Sequence, residues 1–183
     1  MSLIFQFPRA IGKITGIDTF ELSESKADWK SALLSGREGN DPVTLHIGKI
    51  DNENSVLISQ SYLSEKSEIK KVGEMIKNNS LTLGYPLYYI KEALGLKEIP
   101  LNTLYLLLYR SASVVLEAER LHIQNTILIV ESTCITRDIT EMYQDFSNLL
   151  CGDTQINFLH KSNLKGRVNL YFGLFDKKQF QFN

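Results

Sequence analysis

Two sets of residues in this sequence have types and spacings suited to chemistry. Arg110, Ser113 and Glu117 stand three and four residues apart in an otherwise apolar stretch, with Glu119 and Arg120 just beyond. On a helix that spacing puts the first three on one face. A polar stripe in an apolar helix needs buried partners or a ligand, because burying such groups unpaired is costly. It is either an internal ion-pair and hydrogen-bond network or the wall of a cleft that binds an anion or a metal-bound phosphate. The second set is Asp41, which precedes a strand-like run, and Gln60-Ser61-Tyr62, which ends the next such run.

A carboxylate before one strand and a polar pair on its neighbour is the layout of a metal-dependent nuclease site. In such a site two acids hold Mg²⁺, and a lysine two residues after the second acid steadies the water or the phosphate. Here the second acid position is Gln60 and the lysine position is Tyr62. Glutamine offers a neutral oxygen in place of a charge, and tyrosine supplies no cation near neutral pH. Glu65 and Lys66 substitute only if the chain returns them over the same cleft. The plainer reading is an ordinary hairpin with polar ends.

The elements that position these groups follow from hydrophobic period. Runs 43–50 and 55–61 flank the polar connector 51–54 and predict a β-hairpin. The run 101–121 is apolar most of the way round and predicts a core helix opened by Pro100. The run 126–130 is continuously apolar and β-branched, as in a strand buried on both faces. Further helices are expected at 25–34, with Trp29 and Leu33 inward, at 64–77, and at 83–94, where Gly95 stops the helix. Another opens on the capping-box-like Asp138 to Glu141 and turns Met142, Phe146, Leu149 and Leu150 inward. Two closing strands are expected at 155–160 and 167–175. The fold class is therefore α/β, a mixed sheet flanked by helices.

Composition bounds what this fold does. The chain has 183 residues, enough for one domain and for a core that needs no disulfide or metal. Its 20 Lys and Arg against 21 Asp and Glu leave a net charge of −1, which argues against a generally basic nucleic-acid coat. A local patch from Lys66, Lys70, Lys71 and Lys77 stays compatible with that balance. Cys134 and Cys151 are in no CxxC and read as two buried thiols. His46, His122 and His160 are scattered at no ligand spacing. No phosphate loop, dinucleotide fingerprint, zinc motif or nucleophile elbow is present. The first residues have no signal-peptide pattern, and no apolar run approaches the ~20 residues of a membrane span. The expectation is a cytoplasmic protein without membrane contact.

The stretch 106–120, LLLYRSASVVLEAER, followed by 126–132, TILIVES, resembles a bacterial family that looks like a branch of the restriction-endonuclease-like PD-(D/E)XK superfamily. The closing run 168–175, VNLYFGLF, is similar to that family's last strand. The resemblance implies a restriction-endonuclease-like core over 41–175 with an N-terminal extension at 1–40, all within one domain, 1–183. It also implies a site that pairs Asn40-Asp41 with an acid and a lysine at Gln60 and Tyr62, where this chain departs at both. Arg110, Ser113 and Glu117 match the family helix as binding or stabilising residues. Three functions follow as expectations. One is a catalytically degenerate domain that binds nucleic acid or a protein partner. Another is an active Mg²⁺-dependent nuclease whose site has migrated to Asp41, Gln60 and Glu65 or Lys66. The third is an interaction protein, a homodimer for instance, with no nucleic acid.

Overall fold

The computed structural model describes residues 14–21, 44–50, 54–64, 70–78, 84–152 and 155–177. They form strands β1 (Ile14–Glu21), β2 (Thr44–Ile50), β3 (Asn54–Tyr62), β4 (Asn125–Ser132), β5 (His160–Lys161) and β6 (Asn169–Asp176). The helices are α1 (Val72–Asn78), α2 (Gly84–Ala93), α3 (Tyr105–Arg120) and α4 (Arg137–Leu150). One six-stranded sheet has the order β1-β2-β3-β4-β6-β5. Strands β1, β2 and β3 run antiparallel in turn, β3, β4 and β6 are parallel, and β5 is antiparallel to β6. The fold is α/β with a mixed sheet and helices packed against it, as composition and period require.

The hairpin expected at 43–61 is the β2–β3 pair, with Leu45 opposite Ser59 and Ile50 opposite Asn54. The apolar run 126–130 lies in β4, between the parallel neighbours β3 and β6, and Ile127, Leu128, Ile129 and Val130 are fully buried. Parallel strands need a crossover between them. Helices α1, α2 and α3 fill the one from β3 to β4, and α4 lies in the one from β4 to β6.

Strand alternation sorts the sheet into two faces. Leu57, Leu128, Val130, Leu170, Phe172 and Leu174 share one buried cluster with Leu107, Leu108 and Ala112 of α3, and with Tyr143 and Phe146 of α4. Val72 and Met75 of α1 and Ile90 and Leu94 of α2 join it. The Phe146 and Phe172 rings meet edge to face with centroids 5.4 Å apart, a favoured aromatic geometry. The opposite face carries Val56, Ile58, Ile127 and Ile129, all fully buried.

Several boundaries differ from expectation for identifiable reasons. The long helix begins at Tyr105, not at Pro100, and Leu101 is exposed. The chain before it pairs instead with α1: Val72 N–H donates to the Thr103 carbonyl at 3.0 Å, and Gly73 N–H to Leu101 at 2.8 Å. Those bonds satisfy donors that the first turn of α1 leaves without helical partners. Gly73 suits this contact, since a Cβ there would lie 3.2 Å from Leu101. Helix α1 accordingly starts at Val72, while Leu63 and Ser64 are non-helical. Helix α2 ends as expected at Gly95, whose φ of +60° glycine adopts without strain.

In α4 the cap is Thr136, whose hydroxyl accepts from Ile139 N–H at 3.4 Å. The Asp138 capping box does not form, and Glu141 bonds Arg137 at 2.7 Å. The fully buried face of α4 is Ile139, Tyr143, Phe146, Ser147 and Leu150, with Met142 and Leu149 packed partly buried against the same cluster, so Tyr143 joins the inward residues that were expected. The strand expected at 155–160 shrinks to His160–Lys161, because Asn157 turns with φ of +64° and its N–H donates to Leu174 O at 2.7 Å. Neither cysteine is in a disulfide, but Cys134 is exposed rather than buried. The helix expected at 25–34 lies outside the described residues.

Candidate functional site

The carboxyl ends of the parallel strands β3, β4 and β6 bring five polar side chains together. Open α/β sheets bind ligands at this end of their strands. The register sets Tyr62 beside Glu131, and Glu131 beside Phe175, so one step beyond each strand adds Thr133 and Lys177. Gln60, Tyr62, Glu131 and Thr133 alternate with Ser59, Ser61, Val130 and Ser132, which places them on the face away from α3.

The bonds within the group run between strands. Gln60 Nε2 donates to Glu131 Oε1 at 3.1 Å. The Tyr62 and Thr133 hydroxyls share a hydrogen bond of 3.0 Å. Lys177 Nζ lies 5.5 Å from the centroid of the Tyr62 ring, within cation–π range. Tyr62 is 43% exposed, so its ring is held in place yet open to solvent. Half-buried Glu131 has its carboxyl held above the ordinary carboxylate value by desolvation, against the charge of Lys177 and the Gln60 hydrogen bond, which favour the ionised form.

The residues expected on α3 are elsewhere. Ser113 is buried and its hydroxyl donates to the Tyr109 carbonyl one turn back, at 2.9 Å. Glu117 is 1% exposed and accepts from Arg120 Nε at 2.8 Å, with a second bond from Nη2. Arg110 is half-buried. Glu117 and Arg120 lie in the last turn of α3, just before the amino end of β4, whereas Glu131 is at the carboxyl end of that strand. Glu117 and Arg120 therefore do not converge with Gln60 and Tyr62. The first of the two readings of the stripe, an internal network, describes Ser113 and Glu117.

Asp41, Glu65 and Lys66 lie outside the described residues. Among the described residues no group of three or more His, Cys, Asp or Glu side chains could hold a metal ion. Among the described residues, the oxygen donors of the strand-end group are one carboxylate, one amide, one phenol and one threonine hydroxyl, and the amide nitrogen is turned to the carboxylate. That set does not fit Mg²⁺, which needs near-octahedral oxygen ligation, carboxylates among it. Lys70 and Lys77 are exposed, while Lys71 reaches Asp145 at 4.0 Å. A surface pocket lined by Lys71, Asp138, Glu141, Met142, Gln144 and Asp145 shares no residue with the strand-end group. No described helix is long and apolar enough to cross a membrane.

Sequence reasoning missed Glu131, Thr133 and Lys177. A signal for the first was present: the apolar run of β4 breaks abruptly into Glu-Ser-Thr at the end where such sheets bind ligands. Nothing local marks Lys177, whose place depends on the register of β6.

Residues 48–179 match the family model described as Domain of unknown function (DUF6946). The chain belongs to that family. The DUF6946 match takes in Gln60, Tyr62, Glu131, Thr133 and Lys177 as well as Arg110, Ser113 and Glu117, and begins after Asp41. No curated protein and no solved structure matches the chain.

Proposed function

We propose that this DUF6946 domain has a restriction-endonuclease-like core that binds nucleic acid at the carboxyl ends of β3, β4 and β6 without cutting it, in the cytoplasm. One observation carries the reading: at the two positions where a cutting site needs an acid and a lysine, Gln60 donates to Glu131 and Tyr62 bonds Thr133. Both side chains are committed to neighbours, and neither brings the charge that metal-assisted hydrolysis uses. What is left is an exposed aromatic ring with an ammonium group over it, a pair suited to bases and phosphates. The mixed sheet, with an antiparallel hairpin feeding a parallel strand through a helical crossover, supports the resemblance of the helix and strand motifs.

The test has two parts, binding and cleavage, on the full chain. Single- and double-stranded DNA and RNA are incubated with Mg²⁺ or Mn²⁺, and products are resolved on a denaturing gel. Binding without products is the expected result. Robust cleavage that Asp41→Ala abolishes would show instead that the domain is an active nuclease.

A further inference from the structure

The strand-end group also discriminates between kinds of nucleic acid, an inference that rests on the nucleic-acid reading above. We propose that Tyr62 and Lys177 form the platform for an unpaired nucleotide, so that this end of the sheet takes single-stranded nucleic acid in preference to duplex.

Duplex recognition draws most of its affinity from neutralising many backbone phosphates. A chain with a net charge of −1 has little general attraction for a duplex. At the strand ends the cation Lys177 stands beside the carboxylate Glu131, which repels a dense phosphate array. Duplex DNA also keeps its bases stacked, so an aromatic ring gains nothing from their faces. An unpaired base has a free face. Stacking on an aromatic side chain then contributes ~1–3 kcal/mol per base, an attraction that a duplex does not offer.

The geometry suits that mode. The Tyr62 hydroxyl is fixed to Thr133, so the ring is already oriented. Tyr62 is 43% exposed, and a base stacks on its ring once the flexible Lys177 side chain, which lies over it, swings aside. Lys177 Nζ, 5.5 Å from the ring centroid, is placed to meet the phosphate of a nucleotide stacked there. Gln60 and Glu131, bonded to each other on the same face, border this platform, so the two contacts made to the nucleotide are the ring stack and the Lys177–phosphate pair. Neither of these contacts distinguishes ribose from deoxyribose.

Fluorescence anisotropy on the full chain tests this with a labelled oligothymidylate, an oligouridylate of the same length, and a mixed-sequence duplex of that length. Either single strand, or both, is expected to bind more tightly than the duplex. Tyr62→Leu should weaken single-strand binding by roughly 5- to 150-fold, the loss of one base–aromatic stack of ~1–3 kcal/mol. Tyr62→Phe should retain most of the affinity, since the ring remains. Lys177→Met should weaken binding and reduce the salt slope by about one. Tyr62 and Lys177 are solvent-exposed, and thermal melts of each variant establish that the fold is intact. Preference for duplex, or single-strand binding unchanged in Tyr62→Leu, overturns this inference and leaves the nucleic-acid reading standing. No binding to any of the three probes overturns both.

Discussion

Two polar regions of this molecule differ in the reach of their bonds. On α3, Ser113 bonds a carbonyl four residues back and Glu117 bonds an arginine three residues on. At the ends of the parallel strands, Gln60 reaches Glu131 and Tyr62 reaches Thr133, each across 71 residues of sequence. The first region solves a problem of burial with partners from its own helix. The second gathers side chains from three strands at a solvent-facing edge. Short-range bonds of the first kind make a polar stripe compatible with a core, whereas convergence of distant strand ends is how open sheets build sites. A polar stripe in an apolar helix is thus weaker evidence of function than its unusual look suggests.

The contrast can be broken by substitution, beginning with the core both regions share. Phe172→Ala empties a fully buried position against Tyr143 and Phe146, and should cost about 3–5 kcal/mol by urea unfolding. A loss under 1 kcal/mol would mean the helix side of the sheet is not packed as described.

Arg120→Ala sharpens the comparison on α3. It strips the described partner from a carboxylate that is 1% exposed, and should cost about 2 kcal/mol, more than Glu117→Gln, which removes the charge itself. Oligonucleotide binding by the folded variant should stay as in wild type. A binding defect in folded Arg120→Ala would move function back onto α3.

Ser61 stands between Gln60 and Tyr62 but faces the helices, and its buried hydroxyl has no hydrogen-bond partner among the described residues. Ser61→Ala removes a polar group that burial penalises. It should be neutral or stabilising by up to about 1 kcal/mol, with binding unchanged. Marked destabilisation would reveal a hidden partner for the hydroxyl.

The smallest effect concerns Glu131 and pH. Its folded-state value lies above the ordinary one, so the protonated form is favoured by the fold. Its contribution to stability is full below the ordinary carboxylate range and is lost as pH rises through the raised value. Glu131→Gln should melt slightly above wild type at neutral pH, and the gap should close in acid. Parallel melting curves across that range would show that burial does not penalise the charge.

Much of this architecture could be read from pattern alone. The hairpin, the core helix, the doubly buried strand and the Gly95 stop all follow from period, β-branching and turn chemistry, because each depends on neighbours within a few residues. The boundaries that moved were those set by distant partners. Pro100 is a good first helical residue, yet the chain after it pairs with α1, whose first N–H groups needed acceptors. Asp138 to Glu141 is a good capping box, but Thr136 takes the cap.

The candidate site divides in the same way. Gln60 and Tyr62 were legible because strand ends that carry polar groups stand out against apolar runs, and Asp41 lies outside the described residues. The sequence by itself determined an α/β fold with β4 buried on both faces, since period and burial are local properties of the chain. Only the tertiary structure decided that Arg110, Ser113 and Glu117 belong to the helix side and that Gln60 and Tyr62 meet Glu131, Thr133 and Lys177. The reason is register: one residue of slip exchanges the two faces of a strand, and no local pattern states which strand ends will be neighbours.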